Sequence, residues 1–596
     1  MSGLSRRDFL ALTGVLAGAV ALPAGALGSA LAAPTLATDV PTTLLQTIRY
    51  GPIARGTYRT LQNAPGESFL ERIDLLGKAP AAGRAASRRS LCYVGHFSDM
   101  HIIDGQSPAR LEPMLGQDAS LWAGAFRPHD ALTVHVASAM VAAMTEARRS
   151  PLTGAAMTAA VVTGDSADMH SRYELDWYID MLDGVTVTPN SGAVGVYEGV
   201  QAWAEATYAY HPEDPNDPFG ILGFPRLPGL LSAAVSQPVP SVGLVSPWYS
   251  VYGNHDTLLL GTFPIGTDLQ GWATGDRKAA LWPALGVGAF RGLAADASVF
   301  TQLFNRLQDQ LSAQWGIRRI TSDPGRRLFN QQEFMQAHLD SPSAPGPVGH
   351  GFTPANIDSG QTWWSADFGP FVRAFGLDTC NQVVGADGAI PQDQFEWLKE
   401  QLAIAKRDNK LAILLSHHNS LTLENDAVPA EGPTQPLIHA DEFIAAVLEF
   451  PNVVAWLNGH THINTIQAHQ RAGGGGFWEI TTASCIDFPQ QQQTVEIVDN
   501  RDGTLSLFTT VLDHRSPADY TDGDFSVVGL ASLSRQMAAN DVNENPTMRL
   551  GSLSDRNCEL LLPSPFDLST ITDAQIQAAQ AEALARVVAF EQKAPK

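Results

Sequence analysis

The chain has 596 residues, 44% of them hydrophobic and 17% charged, the composition of a globular protein long enough for a large core. A formal net charge of -23 argues against nucleic acid or an anionic membrane surface as a partner, because both are polyanions. A phosphate-bearing small molecule stays open, since a bound metal pair dominates its own local field.

Ser5-Arg6-Arg7-Asp8-Phe9-Leu10 precedes a mildly apolar, Gly/Ala-rich run from Ala11 to about Leu27, and Ala30-Leu31-Ala32 offers an A-x-A cleavage site before Pro34. Residues 1–33 thus resemble a twin-arginine signal peptide, which implies passage through the twin-arginine translocation machinery as a folded protein. Pro23 and the glycines speak against a permanent anchor, and no later stretch is apolar enough to span a bilayer. The mature protein is expected to be soluble beyond the cytoplasmic membrane: periplasmic, in the cell envelope or secreted. Residues 34–88 read as a polar extension with little periodicity.

Regular structure begins with Leu91 to Phe97, a buried strand that delivers Asp99-x-His101 at its carboxyl end. Alternate side chains off a strand tip point one way, which suits one metal ion. Leu132 to Arg148 has helical spacing, and the strand Ala159 to Thr163 ends in Gly164-Asp165-Ser166-Ala167-Asp168. A strand, helix and strand that close on carboxylates predict a site at the carboxyl ends of a β-α-β unit. Residues 184–240, rich in Pro, Gly and aromatics, read as an insert, either over the site or packed on the surface. The apolar run Val242 to Val251 predicts a strand that delivers Gly253-Asn254-His255-Asp256. There the Asn carbonyl can ligate a cation, the His can donate a proton, and Asp256 can orient that His.

A second insert spans about 257–355, with helical material at Val299 to Gln314. Pattern returns at Thr362 to Gly369, then come a strand at Val372 to Thr379 and an amphipathic helix at Asp393 to Leu402. The strand Leu411 to Leu415 delivers His417-His418, and the strand Val453 to Asn458 delivers Gly459-His460-x-His462. Strands are predicted at Phe477 to Thr482 and Val495 to Val498, with Asn500-Arg501-Asp502-Gly503 turning into Leu505 to Val511. Residues 516–596 carry little visible order before a C-terminal helix capped by Thr572, with Ile576, Ala579, Ala583, Val587 and Phe590 on one face. His129, His135, His469 and His514 read as structural. The four cysteines, Cys92, Cys380, Cys485 and Cys558, lack C-x-x-C spacing and leave three disulfide pairings, or none, open.

Five ordered motifs, each after a strand, resemble those of the calcineurin-like metallophosphoesterase superfamily over about residues 90–515. Among its members the chain looks closest to exported, actinobacterial-type metallophosphoesterases with long inserts between motifs. The resemblance implies an α/β fold, a four-layer α/β/β/α sandwich of two mixed sheets, as a domain over 89–515. It implies that Asp99, His101 and His462 hold one divalent metal, that Asn254, His417 and His460 hold another, and that Asp165 bridges them. His255 is then the donor toward the leaving oxygen with Asp256 behind it, and Asn254, His255, His418 and Arg110 are the expected substrate contacts. Asp168 stands where purple acid phosphatases carry a metal-binding Tyr, which implies no tyrosinate-to-iron colour.

The ligand set, nitrogen and oxygen without thiolate, suits Mn, Fe or Zn. Two such ions, roughly 3.5–4 Å apart, can lower the pKa of a shared water and clamp an in-line displacement at phosphorus. The expected activity is hydrolysis of phosphate mono- or diesters, the diester slightly favoured by the first motif and the His417-His418 pair. The alternative is an exported metal- or phosphate-binding protein without catalysis, since a fold does not by itself set function.

Overall fold

The computed structural model describes residues 42–593, apart from 266, 283–315, 343–344, 430–433 and 545. The signal segment and the helical stretch Val299 to Gln314 lie outside the described residues. In chain order the strands are β1 Gln46–Arg55, β2 Tyr58–Pro65, β3 Leu70–Arg72, β4 Arg89–Phe97, β5 Ala159–Val162, β6 Trp248–Ser250, β7 Arg277–Ala279, β8 Ile317–Arg319 and β9 Trp364–Asp367. They continue as β10 Val372–Gly376, β11 Ile390–Pro391, β12 Leu411–Leu415, β13 Leu437–Ile438, β14 Val453–Asn458, β15 Thr465–Gln470, β16 Gly476–Thr481, β17 Gln491–Asp499, β18 Thr504–Asp513 and β19 Cys558–Pro563.

Two large mixed sheets organise the chain. One is seven-stranded in the order β3-β19-β18-β17-β4-β5-β6, and the other is six-stranded in the order β15-β16-β14-β12-β10-β9. Each contains a parallel run, β4-β5-β6 in the first and β10-β12-β14-β16 in the second. Antiparallel neighbours extend both sheets, and β3 joins β19 in parallel at the edge of the first.

Side-chain alternation explains why the central strands are apolar without interruption. Along β12, Leu411, Ile413 and Leu415 join one core with Val161, Trp478, Ile497 and Leu560, so residues of both sheets share it. Ala412 and Leu414 face the other way, into a second core with Phe395, Leu398 and Leu402 of the helix Gln392–Arg407 and Phe443 of the helix Ala440–Val447. Burying such a Leu contributes about 1.5–3 kcal/mol. The helices Thr133–Glu146 and Arg172–Asp183 pack beside β4 and β5, where Tyr93 donates its hydroxyl proton to the Ala147 carbonyl.

Several elements differ from the sequence reading. Only Trp248–Ser250 of the run Val242 to Val251 is strand, because β5 offers three pairing partners there. The strand read to Thr379 ends at Gly376, and the helix read to Leu402 continues to Arg407. The segments read as poorly ordered extensions supply β3 and β19 of the seven-stranded sheet, and the buried helix Val527–Ala539. β19 escapes pattern reading because Glu559 interrupts its apolar run, yet that side chain is buried against Arg84, Arg88 and Ser506. The aromatics Tyr210, Phe219 and Phe224 of the first insert pack on Tyr58 of the hairpin β1-β2 and on Leu530 and Leu533 of that helix. All four cysteines are buried and unpaired. No described helix is long and apolar enough to cross a membrane.

Candidate metal centre

The carboxyl ends of the two parallel runs meet, as expected where open α/β sheets place their sites. Asp99 and His101 follow β4, Asp165 and Asp168 follow β5, and Asn254 and His255 follow β6. His417 follows β12, and His460 and His462 follow β14. Backbone bonds stitch the loops together: Asp99 N–H donates to Gly164 O at 3.0 Å, His101 N–H to Asp165 O at 2.9 Å, and Gly459 N–H to His417 O at 3.0 Å. Two glycines are required by close approach. A Cβ on Gly253 would lie 2.1 Å from Asp165 N, and one on Gly459 would lie 1.9 Å from Ser98 Oγ. Of eleven described non-glycine residues with positive φ, five are Asp99, His101, Asp165, His460 and His462, so backbone strain is concentrated at the predicted ligands.

One cluster gathers Asp99, His101 and His462. His101 Nε2 lies 3.2 Å from His462 Nε2, 3.8 Å from Asp99 Oδ1 and 3.5 Å from Asp165 Oδ2, and His462 Nε2 lies 3.1 Å from Asp99 Oδ1. A second cluster gathers Asn254, His417 and His460. His417 Nε2 lies 2.8 Å from Asn254 Oδ1 and 3.1 Å from His460 Nδ1, with Asp165 Oδ2 at 3.1 Å. Asp165 Oδ2 therefore belongs to both clusters, while its Oδ1 accepts the His255 N–H at 2.8 Å.

Hydrogen bonds on the far side of His101, His462, His417 and Asn254 set which atom faces inward. His101 Nδ1 is 2.9 Å from Asp168 Oδ1, His462 Nδ1 is 2.5 Å from Asp487 Oδ2, and His417 Nδ1 is 2.8 Å from Thr163 O. These acceptors hold the ring proton on Nδ1 and leave Nε2 bare. Asn254 donates through Nδ2 to Gly261 O at 3.0 Å, so its carbonyl oxygen faces the cluster. The first half then presents acceptors, the second adds the Asn254 oxygen and His417 Nε2 beside His460 Nδ1, and buried Asp99 Oδ1 has no hydrogen-bond partner. A cation satisfies such an arrangement and a hydrogen bond does not, so the donor set fits two divalent metals.

The electrostatics agree. Burial opposes a charge on His101, but Asp168, Asp99 and Asp165 outweigh it and raise the imidazole to about 10. Burial opposes a charge on His417 too, and Asp165 and Asp99 raise it to about 9. A proton on either ring occupies the position a metal would take, so metal binding displaces protons.

Three expected roles fall differently. Asp256 does not orient His255: it is buried and accepts backbone N–H bonds from Ser166, Ala167 and Gly253, bracing the loops that carry Asp165 and Asn254. The His255 ring instead rests on the Asp168 carbonyl, with Nδ1 2.7 Å from that oxygen. Arg110 is turned inward, with NH1 2.7 Å from Asp168 Oδ2 and NH2 2.9 Å from Asp130 Oδ2; it supports a carboxylate and does not line a pocket. His418 is buried with both ring nitrogens engaged, Nδ1 by Thr379 Oγ1 at 2.9 Å and Nε2 by Ala386 O at 2.8 Å, so His417 is the inward member of that pair.

Asp487 escaped the sequence reading. It follows β16, the parallel neighbour of β14, and this carboxylate after a strand end was the available signal. Burial disfavours its ionisation, but Arg127, Arg549 and His462 hold the carboxyl well below the usual carboxylate range. Of the histidines read as structural, His129, His469 and His514 hydrogen-bond to Ile486 O, Glu479 and Gln490.

No family model and no curated protein matches the chain. Among solved structures, a dimetal phosphatase from Danio rerio is similar at 11% identity and a TM-score of 0.34, over 72% of this chain and 100% of that one. At that score the likeness decides nothing, and the site is read from its own geometry.

Proposed function

We propose that this chain is an exported two-metal phosphoesterase that hydrolyses phosphate mono- or diesters. The observation that carries the reading is Asp165 Oδ2, which lies 3.5 Å from His101 Nε2 and 3.1 Å from His417 Nε2 and so joins the two clusters through one atom. Asp99, His101, His462 and Asp165 would hold one ion, and Asn254, His417, His460 and Asp165 the other. A divalent pair, when bound, supplies a water acidic enough to attack near neutral pH and neutralises charge at the phosphoryl oxygens.

The chain's own residues do the rest. His255 keeps part of its side chain open to solvent, 16% exposed, and its Nε2 is free of the hydrogen bond that holds Nδ1. Burial pulls this imidazole down to about 4, against the pull of Asp165. A phosphate oxyanion beside it raises its basicity, so with substrate bound His255 takes up a proton from solvent and passes it to the leaving oxygen. The strained loops hold the ligands at fixed separations and so reduce reorganisation during the reaction.

Helices on the outer face of the six-stranded sheet and beside the seven-stranded one support the four-layer sandwich reading. The twin-arginine pattern of residues 1–33 supports export, and the lean toward diesters over monoesters rests only on the resemblance of the first motif and the His417-His418 pair. The test uses residues 34–596 supplied with Mn²⁺, with hydrolysis of an aryl phosphate diester and monoester compared against Asp165→Asn. Turnover of either ester that is lost in the variant upholds the reading. No turnover of either ester with two metals bound overturns it.

A further inference from the structure

Behind the first cluster lies a chain of buried charges that leads into the second insert. His101 Nδ1 is 2.9 Å from Asp168 Oδ1, whose other oxygen is 2.7 Å from Arg110 NH1. Arg110 Nε is 3.4 Å from Glu112 Oε1. That same oxygen receives a bond from Lys278 Nζ at 2.7 Å, and Lys278 also donates to Ser107 O at 2.7 Å. Lys278 sits on β7, which pairs with β8. All five side chains are at most 2% exposed, so solvent screens none of these contacts and each charge acts on the next at full strength.

We propose that Lys278 is a positioning residue for the metal centre, acting on His101 through Glu112, Arg110 and Asp168. The signs alternate along the chain: Lys278 is positive, Glu112 negative, Arg110 positive and Asp168 negative. Lys278 holds Glu112 away from full pairing with Arg110, whose contact to Glu112 is correspondingly long. Arg110 is then free to bind Asp168 closely, and Asp168 fixes the His101 ring with Nε2 inward. Without the lysine charge, Glu112 competes more strongly with Asp130 and Asp168 for Arg110, draws the guanidinium toward itself, and loosens the Asp168 support. Loss of such outer support typically weakens metal affinity by about 10- to 100-fold. The chain also explains the depth at which an otherwise surface-seeking lysine is buried: its charge is needed where the insert meets the loop that carries the first motif.

The inference rests on metal binding at the proposed centre. The experiment measures Zn²⁺ affinity of residues 34–596 by competition with a chromophoric chelator, together with thermal unfolding of each variant. Lys278→Gln keeps an amide donor but removes the charge, and it is expected to weaken the site with Asp99, His101 and His462 about tenfold or more. Adding Glu112→Gln removes the stranded negative charge and is expected to restore affinity to within about threefold of the parent. An unchanged affinity in Lys278→Gln overturns the proposal, as does a double variant as weak as the single, which would make Lys278 a mere anchor for the insert. If Lys278→Gln does not fold, the double variant decides: near-parental affinity upholds the charge chain and a tenfold loss overturns it. A parent chain that binds no Zn²⁺ removes the metallophosphoesterase reading and this inference with it, whereas normal binding with unaltered variants removes this inference alone.

Discussion

The two halves of the centre are built from similar residues and supported differently. The half with Asp99, His101 and His462 has a carboxylate of its own besides the shared Asp165, and both its imidazoles are backed by carboxylates, Asp168 and Asp487. Arginines anchor those carboxylates in turn, Arg110 on one and Arg127 and Arg549 on the other. The half with Asn254, His417 and His460 has only the shared carboxylate and a neutral amide, and His417 is backed by the neutral carbonyl of Thr163. Ligand basicity follows from what stands behind the ligand. The first half should hold its ion more firmly, and the second should exchange it more readily.

Asp165→Asn tests what the halves have in common. It removes the only charge the second half has, so turnover should fall by more than the 10- to 100-fold typical of outer-shell changes, and bound metal should drop below two per chain by elemental analysis. His255→Ala tests whether chemistry is separable from the metal halves. Its kcat should fall about 10²- to 10⁴-fold with both metals retained, and unchanged turnover would remove His255 from the mechanism. Asp487→Asn strikes one half alone. It should weaken the firmer site about 10- to 100-fold and narrow the affinity gap between the halves; a loss from the weaker site would contradict the assignment. Chelator titration of the parent protein should release metal in two steps, and a single step would show the halves to be equivalent.

The smallest effect on activity concerns the surrounding fold. Burial holds His129, His135 and His338 down to about 4 and His350 to about 3, from an ordinary 6.5. The unfolded chain takes up these protons below pH 6.5 and the folded chain does not, so stability is full above that pH. It falls as pH drops from 6.5 toward 4, by at most about 1.4 kcal/mol per pH unit for each histidine. His338→Gln should lose its share of this fall when denaturant midpoints are compared with the parent between about pH 7.5 and 4.5, and an identical pH profile would place that ring in contact with water.

The motif loops were readable in advance because each follows an apolar strand and carries side chains of one chemistry at short spacing. Asp99, His101, Asp165, Asn254, His417, His460 and His462, the set implied by the resemblance, lie together in the structure. Asp487 was not readable: it is a lone carboxylate 25 residues beyond its partner His462, and only the pairing of β16 beside β14 brings them together. Asp256 misled for a related reason. Adjacency in sequence suggested a partner for His255, but the turn points the two side chains apart and gives the carboxylate three backbone donors instead.

The strands β12 and β14, the turn at Asn500 to Gly503 and the face of the C-terminal helix followed from local periodicity, because burial on a fixed geometry imposes a pattern that neighbours in sequence share. Residues 34–88 and the stretch from 516 to that helix carried no such pattern, since β3 pairs on β19 and β19 on β18, partners far away in the sequence. By itself, then, the sequence determined which residues stand at strand ends and what chemistry they can do. Only the tertiary structure decided which nitrogen of each histidine faces inward, which carboxylate stands behind it, and which distant segments close the sheet, because those outcomes depend on contacts between residues far apart along the chain.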